Sequence, residues 1–147
     1  SNPKEILAKV RDALKPGGRM VIQEYYQVSA FKTNPERPSL RKAIDSILNS
    51  FNESDFKIDM GGNLPEYIEA LGMRINHLRL IPKLAIPGSI AWEWPKTFFH
   101  NYFPRLESMG YLNNQDVEDA IEDLQELELL SYSTLCCPLV IEVVAEK

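Results

Sequence analysis

The chain is poor in the residues that usually build reactive centres. Its 147 residues include two histidines, two cysteines and two tryptophans. The cysteines are neighbours, Cys136 and Cys137, so they cannot staple distant segments into a disulfide framework, and a cytoplasmic setting is the expectation. No H-x-x-x-H pair or cysteine cluster announces a metal. Cations are not in excess: 16 Lys and Arg stand against 21 Asp and Glu, for a net charge of −5. With a pI near 5.1, this argues against a nucleic-acid partner. No apolar run is long enough to span a bilayer. The first fourteen residues scatter charges through a helical pattern rather than leading into a secretory apolar core, and Ser1-Asn2 reads as a remnant of tag cleavage. There is no internal repeat and no low-complexity stretch.

What is present is concentrated in one short run, Leu14-Lys15-Pro16-Gly17-Gly18-Arg19-Met20-Val21-Ile22. Ahead of it, Ile6, Leu7, Val10 and Leu14 recur at helical spacing, which predicts a helix over 3–15, with Asn2 as cap and Pro3 in the first turn. Pro16 stops that helix, Gly17-Gly18 reverses the chain, and the apolar run from Met20 begins a strand over 19–26. Helix, tight turn and strand make half of a βαβ unit.

The rest of the chain alternates in the same way. A connector over 27–38 leads to a helix over 38–52, striped by Leu40, Ala43, Ile44, Ile47, Leu48 and Phe51. Polar residues over 53–62 precede a helix at 64–71, which Gly72 ends, and a strand at 74–81. After Pro82 and Pro87-Gly88 a helix is expected to start near Pro95, with Trp92 and Trp94 in the loop before it. An acidic helix follows over 114–130, and a last strand over 138–145. The strands 19–26 and 138–145 are apolar enough to be buried on both faces, yet the chain offers too few strands to shelter both.

The run Leu14–Ile22 resembles the segment before and within the fifth strand of class I S-adenosylmethionine-dependent methyltransferases, closest to the ubiquinone/menaquinone-biosynthesis type. Ile6-Leu7-Ala8-Lys9-Val10-Arg11-Asp12-Ala13 is typical of the helix in that place. Gly61-Gly62-Asn63-Leu64-Pro65-Glu66-Tyr67-Ile68, leading to Leu71-Gly72-Met73, is similar to the helix before the sixth strand. Pro138-Leu139-Val140-Ile141-Glu142-Val143-Val144-Ala145-Glu146-Lys147 looks like the closing seventh strand. The resemblance covers nearly the whole chain. It implies an α/β fold: the C-terminal half of a Rossmann-like seven-stranded methyltransferase sheet, holding strands five to seven. The last of these is expected to run antiparallel between the other two. Residues 1–147 would form one partial domain, with helical lid-like inserts at about 27–60 and 88–133. No G-x-G turn follows a strand anywhere in the chain. The family's S-adenosylmethionine residues therefore cannot be carried over, and the cofactor would be bound by the intact parent.

The reading is thus a fragment of a methyltransferase, inactive alone, whose partners are a missing N-terminal half and a small apolar or aromatic acceptor. A non-catalytic half-domain that self-associates as a homo-oligomer, or part of another Rossmann-like enzyme, are the alternatives. Methyl transfer needs alignment and exclusion of water, with a base where the acceptor is a hydroxyl. Sites in open α/β sheets lie beyond the C-terminal strand ends, which points to Glu24, Tyr25 and Tyr26. Trp92, Trp94 and Phe98 are further pocket candidates. Glu24 and His100 are the weak candidates for a base; His77, inside a strand, reads as structural.

Overall fold

The computed structural model describes residues 2–53 and 58–147; residues 54–57 of the first expected insert lie outside the described residues. In chain order the elements are α1 (Pro3–Ala13), β1 (Arg19–Gln27), β2 (Lys32–Asn34), α2 (Pro38–Asn52), α3 (Leu64–Ala70), β3 (Arg74–Ile81), β4 (Leu84–Ala85), α4 (Ile90–Ser108), α5 (Asn114–Leu129), β5 (Thr134–Cys136) and β6 (Leu139–Glu146). They divide into two compact units. One holds Ser1–Gln27, Asp59–Ile81 and Leu139–Lys147; the other holds Val28–Ile58 and Pro82–Pro138.

The first unit is a three-stranded sheet in the order β1-β6-β3. The last strand runs antiparallel to both neighbours: Ile22 faces Val143 on one side, and Leu78 faces Val143 on the other. The turn between α1 and β1 forms as its residues dictate. Asn2 caps the helix by accepting from the Lys4 N–H, and Gly17 takes the left-handed region, φ 75°, that other residues resist. The Gly17 N–H then donates to the Lys147 carbonyl at 3.0 Å, and the Lys147 N–H donates to the Gly18 carbonyl at 3.0 Å. The two ends of the unit are thereby tied together.

One face of this sheet is covered. Leu7 of α1, Leu64 and Ile68 of α3, and Met73 pack on Met20, Ile141, Val143 and Ala145. The other face is open, which corrects the expectation that β1 is buried on both sides. Val21 is 63% exposed, and this face is organised by polar rows. Glu146 receives Arg19, Arg74 and Asn76, while Glu142 receives Arg79 and Gln23. Charged rows alternating with Val21 and Val144 keep an open apolar strand compatible with water.

The second unit packs α2, α4 and α5 with a small antiparallel sheet in the order β2-β5-β4. At two to three residues each, these strands are too short to leave a periodic pattern. The α4 helix begins at Ile90, not near Pro95, so Trp92 and Trp94 are helical rather than in a loop. The side chain of Ser89 accepts from the Trp92 N–H and sets the start. Pro95 and Pro104 lie inside the helix. Pro95 shares with Trp92, Phe99, Phe103 and Leu106 a buried stripe at helical spacing, and that burial offsets the lost backbone bonds.

Candidate functional site

In the sheet unit, Glu24, Tyr25 and Tyr26 occupy the C-terminal end of β1. Alternation puts Glu24 on the covered face, opposite Ile141, and Tyr25 on the open face, opposite Val140. The register then slips between Tyr25 and Gln27, so Tyr26 is the extra residue of a bulge, a device that re-aims a side chain at a strand end. Tyr26 is exposed. Glu24 is half-buried, and its carboxylate accepts the Tyr25 backbone N–H at 2.8 Å. This leaves it acceptor capacity for a ligand hydroxyl.

The tight turn Met60–Asn63 closes against this strand end. A Cβ on Gly61 would lie 2.6 Å from both the Tyr25 carbonyl oxygen and Ile141 Cγ2. Only glycine permits that approach. Glu24, Tyr25 and Tyr26 thus sit on a strand end whose backbone is pinned from one side. In sequence the Gly61-Gly62 pair reads as the end of a polar connector and the lead-in to the helix that resembles the one before the sixth strand, with no sign of this close approach.

In the helical unit, the α4 candidates separate. Trp92 is fully buried; its indole N–H donates to Glu128 Oε1 at 2.9 Å, and Lys96 Nζ donates to the same oxygen at 2.7 Å. This corrects its reading as a loop residue and makes it a core side chain. Trp94 is partly exposed, with Lys83 Nζ 5.6 Å from its ring centre. Phe98 is half-buried in a stack of rings: it lies 6.5 Å from Phe31 and 5.1 Å from Tyr102, which in turn lies 5.5 Å from Phe51. The sequence reading singled out neither Phe31 nor Phe51 beside Phe98, because they come from separate segments. His100 is exposed, and its Nδ1 lies 2.9 Å from the Lys96 carbonyl one turn back. That contact orients the ring along its own helix, with no carboxylate at its other nitrogen among the described residues. His77 lies on β3 opposite Val144.

An open groove of about 700 Å³ runs along α2, beside Arg41, Lys42 and Asp45. Its cations are already matched, Arg41 with Asp45 and Lys42 with Asp116, and it contains none of the candidates above. Burial pushes the Cys137 thiol up to about 11, so it is a packing group rather than a nucleophile near neutral pH. Among the described residues no three His, Cys, Asp or Glu side chains gather as metal ligands, and no helix is long and apolar enough to cross a membrane.

No family model matches the chain, and no curated protein matches it. Among solved structures, it is similar to a protein of Bacillus halodurans C-125 described as a candidate methyltransferase, with 13% identity and a TM-score of 0.47. The match covers 99% of this chain and 63% of that one. The chain therefore spans less than two thirds of that protein's length, and a likeness of this degree assigns neither family nor activity.

Proposed function

We propose that this chain is the C-terminal part of a class I S-adenosylmethionine-dependent methyltransferase acting on a small apolar or aromatic acceptor in the cytoplasm. One observation carries the reading. The final strand lies between β1 and β3 and is antiparallel to both, and β1 itself is entered from a helix through Pro16-Gly17-Gly18. Parallel pairing of the last strand with β1 would instead have favoured a dehydrogenase half.

The residues of this chain do not fit the methyl donor by themselves. A nucleotide-type cofactor is held where a glycine turn leads from a strand end into a helix. The left-handed glycines here are Gly17, Gly72, Gly88 and Gly110; they follow α1, follow α3, precede α4 and follow α4. Gly88 alone lies between a strand, the two-residue β4, and a helix, and no second glycine stands beside it to make a G-x-G turn. The donor site is therefore assigned to the missing N-terminal part. What this chain would supply is the acceptor side. Glu24 would hold or accept the proton of an acceptor hydroxyl, and Tyr25 and Tyr26, at the same strand end, would meet the acceptor.

The test is calorimetry with S-adenosylmethionine on two proteins: residues 1–147, and the longer chain encoded with the upstream reading frame. The expected result is no micromolar binding to 1–147 and micromolar binding to the longer chain, which should contain a strand followed by a G-x-G turn. Micromolar binding to 1–147 alone, or an upstream frame without that turn, would overturn the proposal.

A further inference from the structure

The two edges of the larger sheet are finished differently. β3 carries a bulge between Ile75 and His77 and is followed directly by Pro82, both devices that discourage a further strand. β1 has neither bulge nor proline before Tyr25. Bonding in an antiparallel ladder alternates along the strand. The Lys147 N–H bonds the Gly18 carbonyl, so Met20, Ile22 and Glu24 bond to β6, while Arg19, Val21, Gln23 and Tyr25 turn their backbone groups to the free edge. Among the described residues no strand takes up those of Arg19, Val21 and Gln23.

At Tyr25 the edge is closed. Its N–H donates to the Glu24 carboxylate at 2.8 Å. Its carbonyl is covered by the turn Met60–Asn63, where a Cβ on Gly61 would come within 2.6 Å of the oxygen. A carboxylate folded back on an edge N–H takes the place of a neighbouring strand's carbonyl, and the turn fills the space beside the Tyr25 carbonyl where that strand would run. The edge is thus open at Arg19, Val21 and Gln23 and stopped at Tyr25.

Chain topology selects the strand that fits this edge. α1 and α3 pack on the same face, through Leu7 and through Leu64 and Ile68. β1 and β3 are both antiparallel to β6, hence parallel to each other, and the chain passes from β1 to β3 through α3. Crossovers between parallel strands are right-handed. A strand leading through α1 into β1 over the same face therefore lies on the side of β1 away from β3, which is the free edge. A strand joined to α1 is also held beside this edge by the chain itself, an advantage that a strand of a second copy lacks. We propose that Glu24 and Gly61 form a stop: the strand immediately upstream of α1 pairs with β1 at Arg19, Val21 and Gln23, leaves it at Tyr25, and the gap that opens there is the entrance to the acceptor site. Glu24 is then a positioning residue, one carboxylate oxygen on the Tyr25 N–H and the second left over for the acceptor. This rests on the reading of the chain as the C-terminal part of a longer methyltransferase.

Amide hydrogen exchange, read residue by residue on 1–147 and on the longer chain, tests it. In 1–147 the amides of Val21 and Gln23 should exchange fast and that of Tyr25 slowly. In the longer chain those of Arg19, Val21 and Gln23 should become protected, while Tyr25 keeps the protection it already has. Glu24→Ala should speed Tyr25 exchange about tenfold in both proteins, the loss of one hydrogen bond to a charged group. Glu24→Gln still offers an oxygen and should recover most of it. The amides of Met20 and Ile22, bonded to β6, check that each variant is folded. A longer chain that leaves Arg19, Val21 and Gln23 unprotected would overturn the proposal. So would one whose Tyr25 amide gains protection and is indifferent to Glu24→Ala, since the strand would then run past the stop. Exchange needs no methyl donor, which separates this test from calorimetry. Protection without donor binding would sink the methyl-transfer reading alone, and donor binding without protection would sink the stop alone.

Discussion

The sheet unit and the helical unit close their cores by different means. In the sheet unit, β1 and β6 come from opposite ends of the chain: Arg19 and Glu146, 127 positions apart, meet across the ladder. Its core is aliphatic and one-sided, Leu7, Leu64 and Ile68 lying on Met20, Ile141 and Val143. The helical unit buries large aromatic side chains instead. Trp92, Phe99 and Phe103 are fully enclosed together with Leu40, Leu106, Leu124 and Leu127. A one-sided sheet depends on backbone ladders and on tolerance of its open face by water. A helical core depends on filling volume, so the two units should respond to opposite kinds of damage.

The largest effect is expected where volume is removed from the helical core. Phe103 is fully buried and stacks on Phe99 with ring centres 5.0 Å apart. Phe103→Ala should cost about 3–5 kcal/mol, the transfer and cavity terms of a buried ring. Denaturant titration gives the total. Hydrogen exchange shows where it falls, with protection expected to drop first in α2, α4 and α5. Equal losses in β1, β3 and β6 would show that the two units unfold as one, and the energetic contrast between them would collapse.

The sheet unit should instead be vulnerable at a backbone approach. Gly61→Ala places a methyl 2.6 Å from the Tyr25 carbonyl oxygen and from Ile141 Cγ2. A carbonyl in a strand ladder cannot move aside, and overpacking of this kind costs about 1–3 kcal/mol. Gly62→Ala is the matched control. Its Cβ would meet only a ring carbon of Tyr26 at an ordinary 3.8 Å, so a change within about 0.5 kcal/mol is expected. Thermal unfolding of the pair checks this, and similar melting temperatures for the two variants would remove the special role of the turn.

The same contrast governs how much could be read from the sequence. Local signals were enough for α1, β1, α2, α3, β3, α5 and β6, because each carries its own periodicity and its own stop, such as Pro16-Gly17 after α1 and Gly72 after α3. The partnerships were less legible. Nothing near Arg37 supplies a side-chain cap for α2; the Leu40 N–H is instead accepted by Asp123 of α5, and no local pattern contains that. The strands β2, β4 and β5 exist only because they pair with one another. Pro95 looked like a helix start because proline favours first turns, yet Ser89 captured the start and burial of Trp92 held it. At the candidate site, strand-end position alone pointed to Glu24, Tyr25 and Tyr26. The bulge at Tyr26 and the closeness of Gly61 depend on register with β6 and became visible only in three dimensions. Trp92 and Trp94, placed by the sequence in a loop around Glu93, predict that at least one is exposed; Trp94 is, but both are helical, and Trp92 is buried on Glu128, which is distant in sequence.

A smaller effect is expected where the helical unit relies on a purely local device. Asn113 accepts from the Asp116 N–H, while the Asp116 carboxylate accepts from the Asn113 N–H, a reciprocal capping box at the start of α5. Asn113→Ala should cost about 1 kcal/mol and Asn113→Asp close to nothing. Denaturant midpoints separate the two. A loss for Asn113→Ala that Asn113→Asp does not recover would mean that the helix start is fixed by packing on α2 rather than by its cap.

The smallest expected effect sharpens the contrast from the open face of the sheet. Hydrogen bonds from Arg79 and Gln23 hold the Glu142 carboxyl below the usual glutamate range, and those from Arg74, Asn76 and Arg19 do the same for Glu146. A carboxyl whose pKa is lower in the folded than in the unfolded chain stabilises the fold above the ordinary glutamate range. That contribution disappears as the pH falls through the lowered folded-state values. The melting temperature should therefore decline on acidification below about pH 4.5. Glu142→Gln combined with Glu146→Gln should flatten that decline and lie slightly below the parent at neutral pH, the two curves meeting once the carboxyls are protonated. Both glutamates sit at the water-facing surface, where ion pairs are screened, so the gap should also narrow in high salt. Parallel acid profiles for parent and variant would show that these rows only tolerate water on the open face and do not stabilise the sheet, leaving its backbone ladder and one-sided core to hold it.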